Sequence, residues 1–324
     1  MTQRRPDERR GLGFALVGLG ALLFIVNAGV SRVVLRAGVS PVELTTMRIT
    51  GTAVALLVGA LLLDRSALRP PQGRMALLLL MHGIVGVAAL QWTYFVAIDR
   101  LPVGLALLLE YQAPLLVVLW ARFVQHEAVR RRVWLGLGLA LLGLAMATGI
   151  LGGELAFDAT GLVAGLAAAV CFATYFLVGE HGVAELAPLR VMLWSFGVAA
   201  VVMNLAAPIW HFPTGLLAGD TSLLGRLSEV VVPVALLVGW VLVLGTLVPF
   251  GVEIVALRHL PAATVTMVAM LEPVGVAALG YVWFREELGL VAGIGCVLVL
   301  IGILAAQTGR PPHPVPEPPH LAGP

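Results

Sequence analysis

Lysine is missing altogether from these 324 residues; all twenty basic side chains are arginine. Charge of either sign is scarce, at 12% of the chain, where a water-soluble domain carries roughly 25%. With 60% of the residues apolar, most of the surface has to face lipid. The net charge of +2 comes from arginines in short loops. They form no basic face, so no nucleic-acid partner is expected. Cysteine is down to Cys171 and Cys296, both inside apolar runs; isolated thiols there read as small packing residues, not as a disulfide or metal pair. The chain also lacks paired metal-ligand histidines, a nucleophile elbow and a Gly-rich phosphate loop. No loop is long enough to hold a soluble catalytic domain. A membrane-embedded enzyme is therefore disfavoured, and neither metal nor cofactor is expected.

What is present is a series of apolar runs of membrane-crossing length, about 20 residues each. They cover Gly11–Val33, Glu43–Leu63, Met75–Ala97, Pro102–Phe123 and Trp134–Leu151. Further on come Gly161–Val178, Pro188–Trp210, Val231–Leu257, Pro261–Phe284 and Leu288–Ala306. No alternating pattern suggests a barrel, so the spans are helices, which satisfy their own backbone in lipid. Arg4, Arg5, Arg9 and Arg10 precede a first run too long for the core of a secretory signal; an uncleaved first helix fits. Arginine also sets the orientation. Arg65, Arg69 and Arg74 lie between spans two and three, and Arg130, Arg131 and Arg132 between four and five. The alternate loops hold Arg32 and Arg36, then Arg100, then Glu154 and Asp158. Both termini are thereby expected in the cytoplasm.

A shift of 159 residues brings the ends of two halves into register without a gap. Val96, Ala97, Leu101, Pro102, Pro114, Val117, Glu127, Gly136 and Gly143 meet Val255, Ala256, Leu260, Pro261, Pro273, Val276, Glu286, Gly295 and Gly302. Two prolines, a glutamate and two glycines do not readily align by apolar composition alone. Each half has an odd number of spans, so the second enters the membrane inverted. The expected fold is all-α integral membrane: ten transmembrane helices as two inverted five-helix repeats. The expected organisation is a cytoplasmic amino terminus over 1–10, repeats over 11–152 and 157–307, and a disordered Pro-rich tail over 308–324.

Ionisable groups inside a span are functional candidates by default: Arg48, Glu110, Glu253 and Glu272. Glu110 stands four residues before Pro114, which has no N–H, so one position offers a carboxyl able to carry a proton and a carbonyl without its helical donor. Glu272 precedes Pro273, the counterpart of Pro114, so both carboxyls are expected at one repeat interface. Glu253 serves the site or is a residue reaching the end of its span. Arg48 pairs with a carboxylate or reaches the headgroups. Gln91, Trp92, Tyr94, Tyr111, Gln112, Asn27 and Tyr175 are candidates to line a polar, partly aromatic cavity. His82 reads as an interhelical packing residue. Gly161 and Gly165 read as a small-residue packing pair, and Glu127 and Glu286 as carboxylates complementing the starts of helices five and ten.

At these residues the chain resembles the EamA-type drug/metabolite transporters, and within them the threonine/homoserine exporter branch. The stretch from Tyr94 to Trp120, with Ile98-Asp99-Arg100-Leu101-Pro102 and Glu110-Tyr111-Gln112-Ala113-Pro114-Leu115, is similar to that branch. So are Pro249-Phe250-Gly251-Val252-Glu253, Met270-Leu271-Glu272-Pro273 and Cys171-Phe172-Ala173-Thr174-Tyr175. Ala113 stands where the branch usually has Gly, and Phe172 where Trp is common. The resemblance implies export of small amphipathic metabolites such as amino acids across a bacterial cytoplasmic membrane, in exchange for protons. The partners are then a small-molecule substrate, protons and lipid, for a monomer or a homodimer. A lipid-carrier flippase of the same fold is the alternative; it would want basic headgroup contacts, for which Arg48 is the candidate.

Overall fold

The computed structural model describes residues 6–124, 126, 131–148, 157–249, 252, 256, 271–286 and 289–308. The chain is mostly helical. In order come α1 (Pro6–Arg36), α2 (Pro41–Leu63) and α3 (Gly73–Arg100), then α4 (Val103–Glu110) and α5 (Ala113–Phe123). They are followed by α6 (Arg131–Thr148), α7 (Ala159–Glu185), α8 (Pro188–Ala206), α9 (Val234–Leu247), α10 (Leu271–Phe284) and α11 (Leu290–Thr308). Five described helices are long and apolar enough to cross a membrane: Gly11–Arg36, Pro41–Leu63, Gly73–Arg100, Ala159–Gly179 and Pro188–Ala206.

Local sequence explains where these helices start. Ser40 caps α2: its backbone N–H donates to Glu43 Oε2 (2.8 Å) and the Glu43 N–H donates to its hydroxyl (3.3 Å), with Pro41 in the first helical position. Asp158 caps α7 by accepting from the Gly161 N–H at 2.7 Å. Leucine and valine cover the outer faces, with Leu62, Leu63, Leu205 and Leu290 each about four-fifths exposed, as suits helices that meet lipid. Two helices widen in mid-course into π turns, α3 over His82–Ala89 and α9 over Val243–Leu247.

Two parts of the expected pattern change in the structure. The fourth span is not one helix: α4 and α5 are separate, interrupted at Tyr111 and Gln112. The eighth starts at Val234 instead of Val231, because Val231–Pro233 pairs antiparallel with Asp220–Ser222 as a small hairpin. That hairpin is fixed to α10, where the Trp283 indole N–H donates to the Leu223 carbonyl at 2.8 Å. Most of the stretch 250–270, shared between the eighth and ninth expected spans, lies outside the described residues. So do Glu127 and the Pro-rich tail beyond Thr308.

The packing is closest between α6 and α11. A methyl group on Gly143 would lie 2.5 Å from the Gly295 carbonyl oxygen, and one on Gly302 would lie 2.5 Å from that of Gly136. The lower-numbered end of each helix thus meets the higher-numbered end of the other, so the pair is antiparallel. Glycine permits this approach because backbone touches backbone with no side chain between. Gly161 and Gly165 likewise let α7 lie on Leu101 and Leu109. The two cysteines are free and buried.

Glu286 departs from its expected role. Its carboxylate accepts from the Val103 N–H (3.0 and 3.1 Å) and from Arg32 Nη1 (2.9 Å), so it caps α4 instead of complementing the start of α11. Arg32 also donates to the Leu101 carbonyl at 2.6 Å. One carboxylate therefore ties α1, the α3–α4 corner and the end of α10. Burial pushes that carboxyl up from its ordinary range, while Arg32 and the Val103 and Gly104 amides pull it back.

A matched pair of substitutions tests the glycine contact. Gly143→Leu should weaken the α6–α11 contact by about 2 kcal/mol, the usual cost of overpacking. Gly138→Leu, on the same helix but with open space beside it, should leave the thermal unfolding midpoint in detergent nearly unchanged. Equal effects from the two would disprove the contact.

Candidate functional site

Helix α4 is apolar all round except at its last residue, and all eight of its residues are buried, which puts Glu110 at the inner end of a fully enclosed helix. The helix stops there because Pro114 has no N–H for the carbonyl of residue 110. The Tyr111 and Gln112 N–H groups still donate back to Leu107 and Leu109 (2.9 and 3.1 Å), and helical bonding resumes with Leu115 donating to Gln112 at 2.9 Å. Glu110 is 9% exposed, and its carboxyl makes no hydrogen bond among the described residues. Its charge is felt by Arg48 and Tyr94.

Across the break, the Tyr111 hydroxyl donates to Glu272 Oε2 at 2.8 Å. Glu272 is 8% exposed and lies in the first turn of α10. The two halves of the chain therefore meet at the interruption. Gln112 donates to the Leu108 carbonyl at 3.1 Å, while its side-chain oxygen is buried without a partner.

Arg48 is 6% exposed, so its side chain lies inside the protein. Its Nε donates to Thr246 Oγ1 at 2.8 Å and its Nη2 to the Gly245 carbonyl at 3.3 Å. The guanidinium stands 5.6 Å over the Phe95 ring. No carboxylate lies within ion-pair distance of it among the described residues. Gly245 and Thr246 belong to the π turn of α9, and the amide of Asn27 from α1 sits so close over Gly245 that any side chain there would collide with it. Asn27 Oδ1 and Gln91 Oε1 are buried and unpartnered. Gln91 stands one turn before Tyr94 and Phe95 on α3, which places it on the same face.

The remaining wall is aromatic. Phe172 of α7 meets Tyr111 edge-on at 6.0 Å and Tyr175 at 6.2 Å, and Tyr175 stacks on His82 at 4.8 Å. Both His82 ring nitrogens are engaged, Nδ1 with Ser195 Oγ (2.8 Å) and Nε2 with the Tyr175 carbonyl (3.2 Å), which is the interhelical packing expected of it. The structure thus gathers Arg48, Tyr94, Glu110, Tyr111, Gln112, Tyr175 and Glu272 around the interruption, with Gln91 one helical turn before Tyr94. Glu253 lies outside the described residues. Trp92 is 46% exposed and faces outward. Sequence reasoning missed Thr246, Gly245 and Phe95. A signal existed for one of them, since Gly245 stands 159 residues after Gly86, one of two glycines in the other π turn.

The family model described as the EamA-like transporter family matches residues 11–149 and again residues 159–307. The chain is similar to the threonine/homoserine exporter RhtA of Salmonella typhimurium, at 29% identity over 80% of each chain. The RhtA of Escherichia coli is 28% identical, again over 80% of each. An uncharacterized transporter of Archaeoglobus fulgidus is 27% identical over 66% of this chain and 70% of its own. A solved crystal structure superposes with a TM-score of 0.56 at 23% identity, covering 93% of this chain and 96% of the other, which speaks to the fold alone.

The Tyr111–Glu272 bond is open to direct test. Tyr111→Phe removes it and should cost about 1 kcal/mol of stability. Tyr94→Phe removes a hydroxyl that has no hydrogen bond among the described residues and should cost less. Thermal unfolding of both variants in detergent checks the order; a larger loss for Tyr94→Phe would refute the assignment.

Proposed function

The chain belongs to the EamA-like transporter family, and from that premise we propose a secondary transporter that exports small metabolites, amino acids such as threonine or homoserine among them, in exchange for protons. The fold we propose for it has ten spans in two inverted five-helix halves, over 11–152 and 157–307, with both termini in the bacterial cytoplasm. The names of the RhtA relatives support the substrate class. The arginine bias of the loops supports the orientation.

Three geometric features support the inverted repeat. First, α6 and α11 are antiparallel, and their glycines meet in exchange: Gly143 abuts Gly295, the counterpart of Gly136, and Gly302, the counterpart of Gly143, abuts Gly136. A twofold axis requires this reciprocity. Second, the π turns of α3 and α9 overlap at the same 159-residue offset. Third, Pro114 and Pro273, 159 residues apart, both lie in helices, α5 and α10.

The observation that carries the mechanism is Glu110. It is a buried carboxyl at a helix interruption, without a hydrogen bond among the described residues and within reach of the Arg48 charge. Such a group can hold a proton while one side of the membrane is open and release it to the other. Tyr111, Gln112, Tyr94 and Gln91 would line the substrate path, with Tyr175 and Phe172 as its aromatic wall. Phe172 and Ala113, where the resembled branch usually has Trp and Gly, set the volume of that path.

Proteoliposome efflux with an imposed pH gradient tests this reading. Glu110→Gln keeps shape and hydrogen-bonding capacity but fixes the neutral state, and an amide costs less to bury than a carboxylate, so the protein should fold. It should lose gradient-driven efflux of threonine or homoserine by about a hundredfold or more, the size expected when a positioned proton-transfer group is lost. Glu110→Asp should keep partial activity with a displaced pH optimum. Full gradient-driven efflux by a folded Glu110→Gln protein would remove the proton-carrier role.

A further inference from the structure

The two π turns occupy equivalent frames with unequal polar content. In α3, Gly86 packs on the backbone of Tyr175, where a methyl group would lie 3.1 Å from Cα. The neighbouring His82 spends both ring nitrogens on Ser195 and Tyr175. In α9, Gly245 packs on Asn27, and the neighbouring Thr246 is bonded to Arg48. The correspondence runs residue by residue. Gly86 and Gly245 are 159 apart. Asn27 and Tyr175 are 148 apart, the offset between the starts of the two family matches at 11 and 159. The extra residues fall between α8 and α9, where the second half carries its hairpin.

The α3 frame is saturated: every polar group just named in it has a partner. The α9 frame is not. Among the described residues, two of the five guanidinium N–H donors of Arg48 are engaged, its charge has no carboxylate at ion-pair distance, and Asn27 Oδ1 and Gln91 Oε1 are buried with no donor. A buried charge and buried acceptors left this way are costly. Arg48 and Asn27 both meet Gly245, and Arg48 covers the ring of Phe95, which stands one helical turn after Gln91.

We propose that Arg48, Asn27 and Gln91 form the seat for a zwitterionic head group, the guanidinium taking a carboxylate and the two amide oxygens an ammonium. Thr246 and Phe95 are the positioning residues that aim the guanidinium. The seat rests on the transporter reading above and adds to it which end of the substrate goes where. It also assigns the wide turn of α9 a task that the wide turn of α3 does not share.

Three probes separate the parts of the claim: L-threonine, L-threoninamide, which lacks the carboxylate, and the corresponding hydroxy acid, which lacks the ammonium. Binding is measured by calorimetry in detergent, and efflux in proteoliposomes. The full-length protein should bind threonine about thirtyfold more tightly than threoninamide, the counterpart of one lost charge-assisted contact. Arg48→Gln should bring the two affinities together. Thr246→Val keeps the Arg48 charge but removes its hydroxyl partner, so it should weaken threonine binding several-fold and leave threoninamide unchanged. It serves where Arg48→Gln does not fold. Asn27→Leu should erase the preference for threonine over the hydroxy acid. If threonine is carried but threoninamide binds the wild type as tightly, the seat is wrong and the transporter reading stands. If a folded protein neither binds nor moves any of the three, the amino-acid substrate falls and the seat with it.

Discussion

A backbone amide or carbonyl in lipid has no water to turn to, and the rest of this structure depends on that constraint. Helices meet it over most of the chain, which is why the outer surface can be plain leucine and valine. The constraint also explains where the chain departs from helix. Pro114 withholds a donor from residue 110, so the backbone opens at Tyr111 and Gln112, and the opening lies behind α4, buried on every face. An interruption of this kind is tolerated only where protein or an enclosed aqueous path covers it. Its burial beside Glu110 and Glu272 is therefore one consequence of the rule, and the gathering of polar side chains there is another.

Arg48 obeys the same economy in side-chain form. A guanidinium in the interior needs acceptors, and α9 supplies a hydroxyl and a carbonyl by widening at Gly245 and Thr246. The Thr246 hydroxyl passes its own hydrogen to the Val241 carbonyl at 2.8 Å, five residues back, so the wide turn and the arginine hold each other in place. Neither feature is explained alone: a regular helix would turn the Thr246 hydroxyl and the Gly245 carbonyl elsewhere, and without Arg48 the wide turn would lose its cross-link to α2.

Much of this was legible in the sequence. Apolar runs located the helices, Pro114 located the interruption, and the placement of Glu110 and Glu272 about matched prolines pointed to one shared region. What stayed hidden depends on contacts between distant segments. Nothing near Glu286 says that its carboxylate will reach Val103 and Arg32 instead of its own helix; that choice follows from where α10 ends relative to α4. Val231 to Pro233 is as apolar as any helix start, and only pairing with Asp220–Ser222 makes it a strand. The π turns carry no strong local mark either. Their one sequence trace, Gly86 and Gly245 at the repeat offset, gains meaning only when both are seen under a neighbouring side chain.

The glycines of α6 and α11 suggest why an inverted repeat suits transport. Where Gly136, Gly143, Gly295 and Gly302 meet, backbone packs on backbone, and the side chains beside them, Ala140, Ala147, Cys296 and Val299, are mostly small. Such a seam has much surface in contact and resists separation. At the other extreme, Arg32 and Glu286 tie three elements through hydrogen bonds that hold at one geometry and are lost at another. On the transporter reading, alternation needs both kinds of contact: a seam that persists through the motion, and ties that break at one end while the path opens there. The polar ties described here fall at the corner where α1, α3 and α10 finish. Any motion that parts α1 from the end of α10 has to break the bonds of the Glu286 carboxylate to Arg32 and to the Val103 amide.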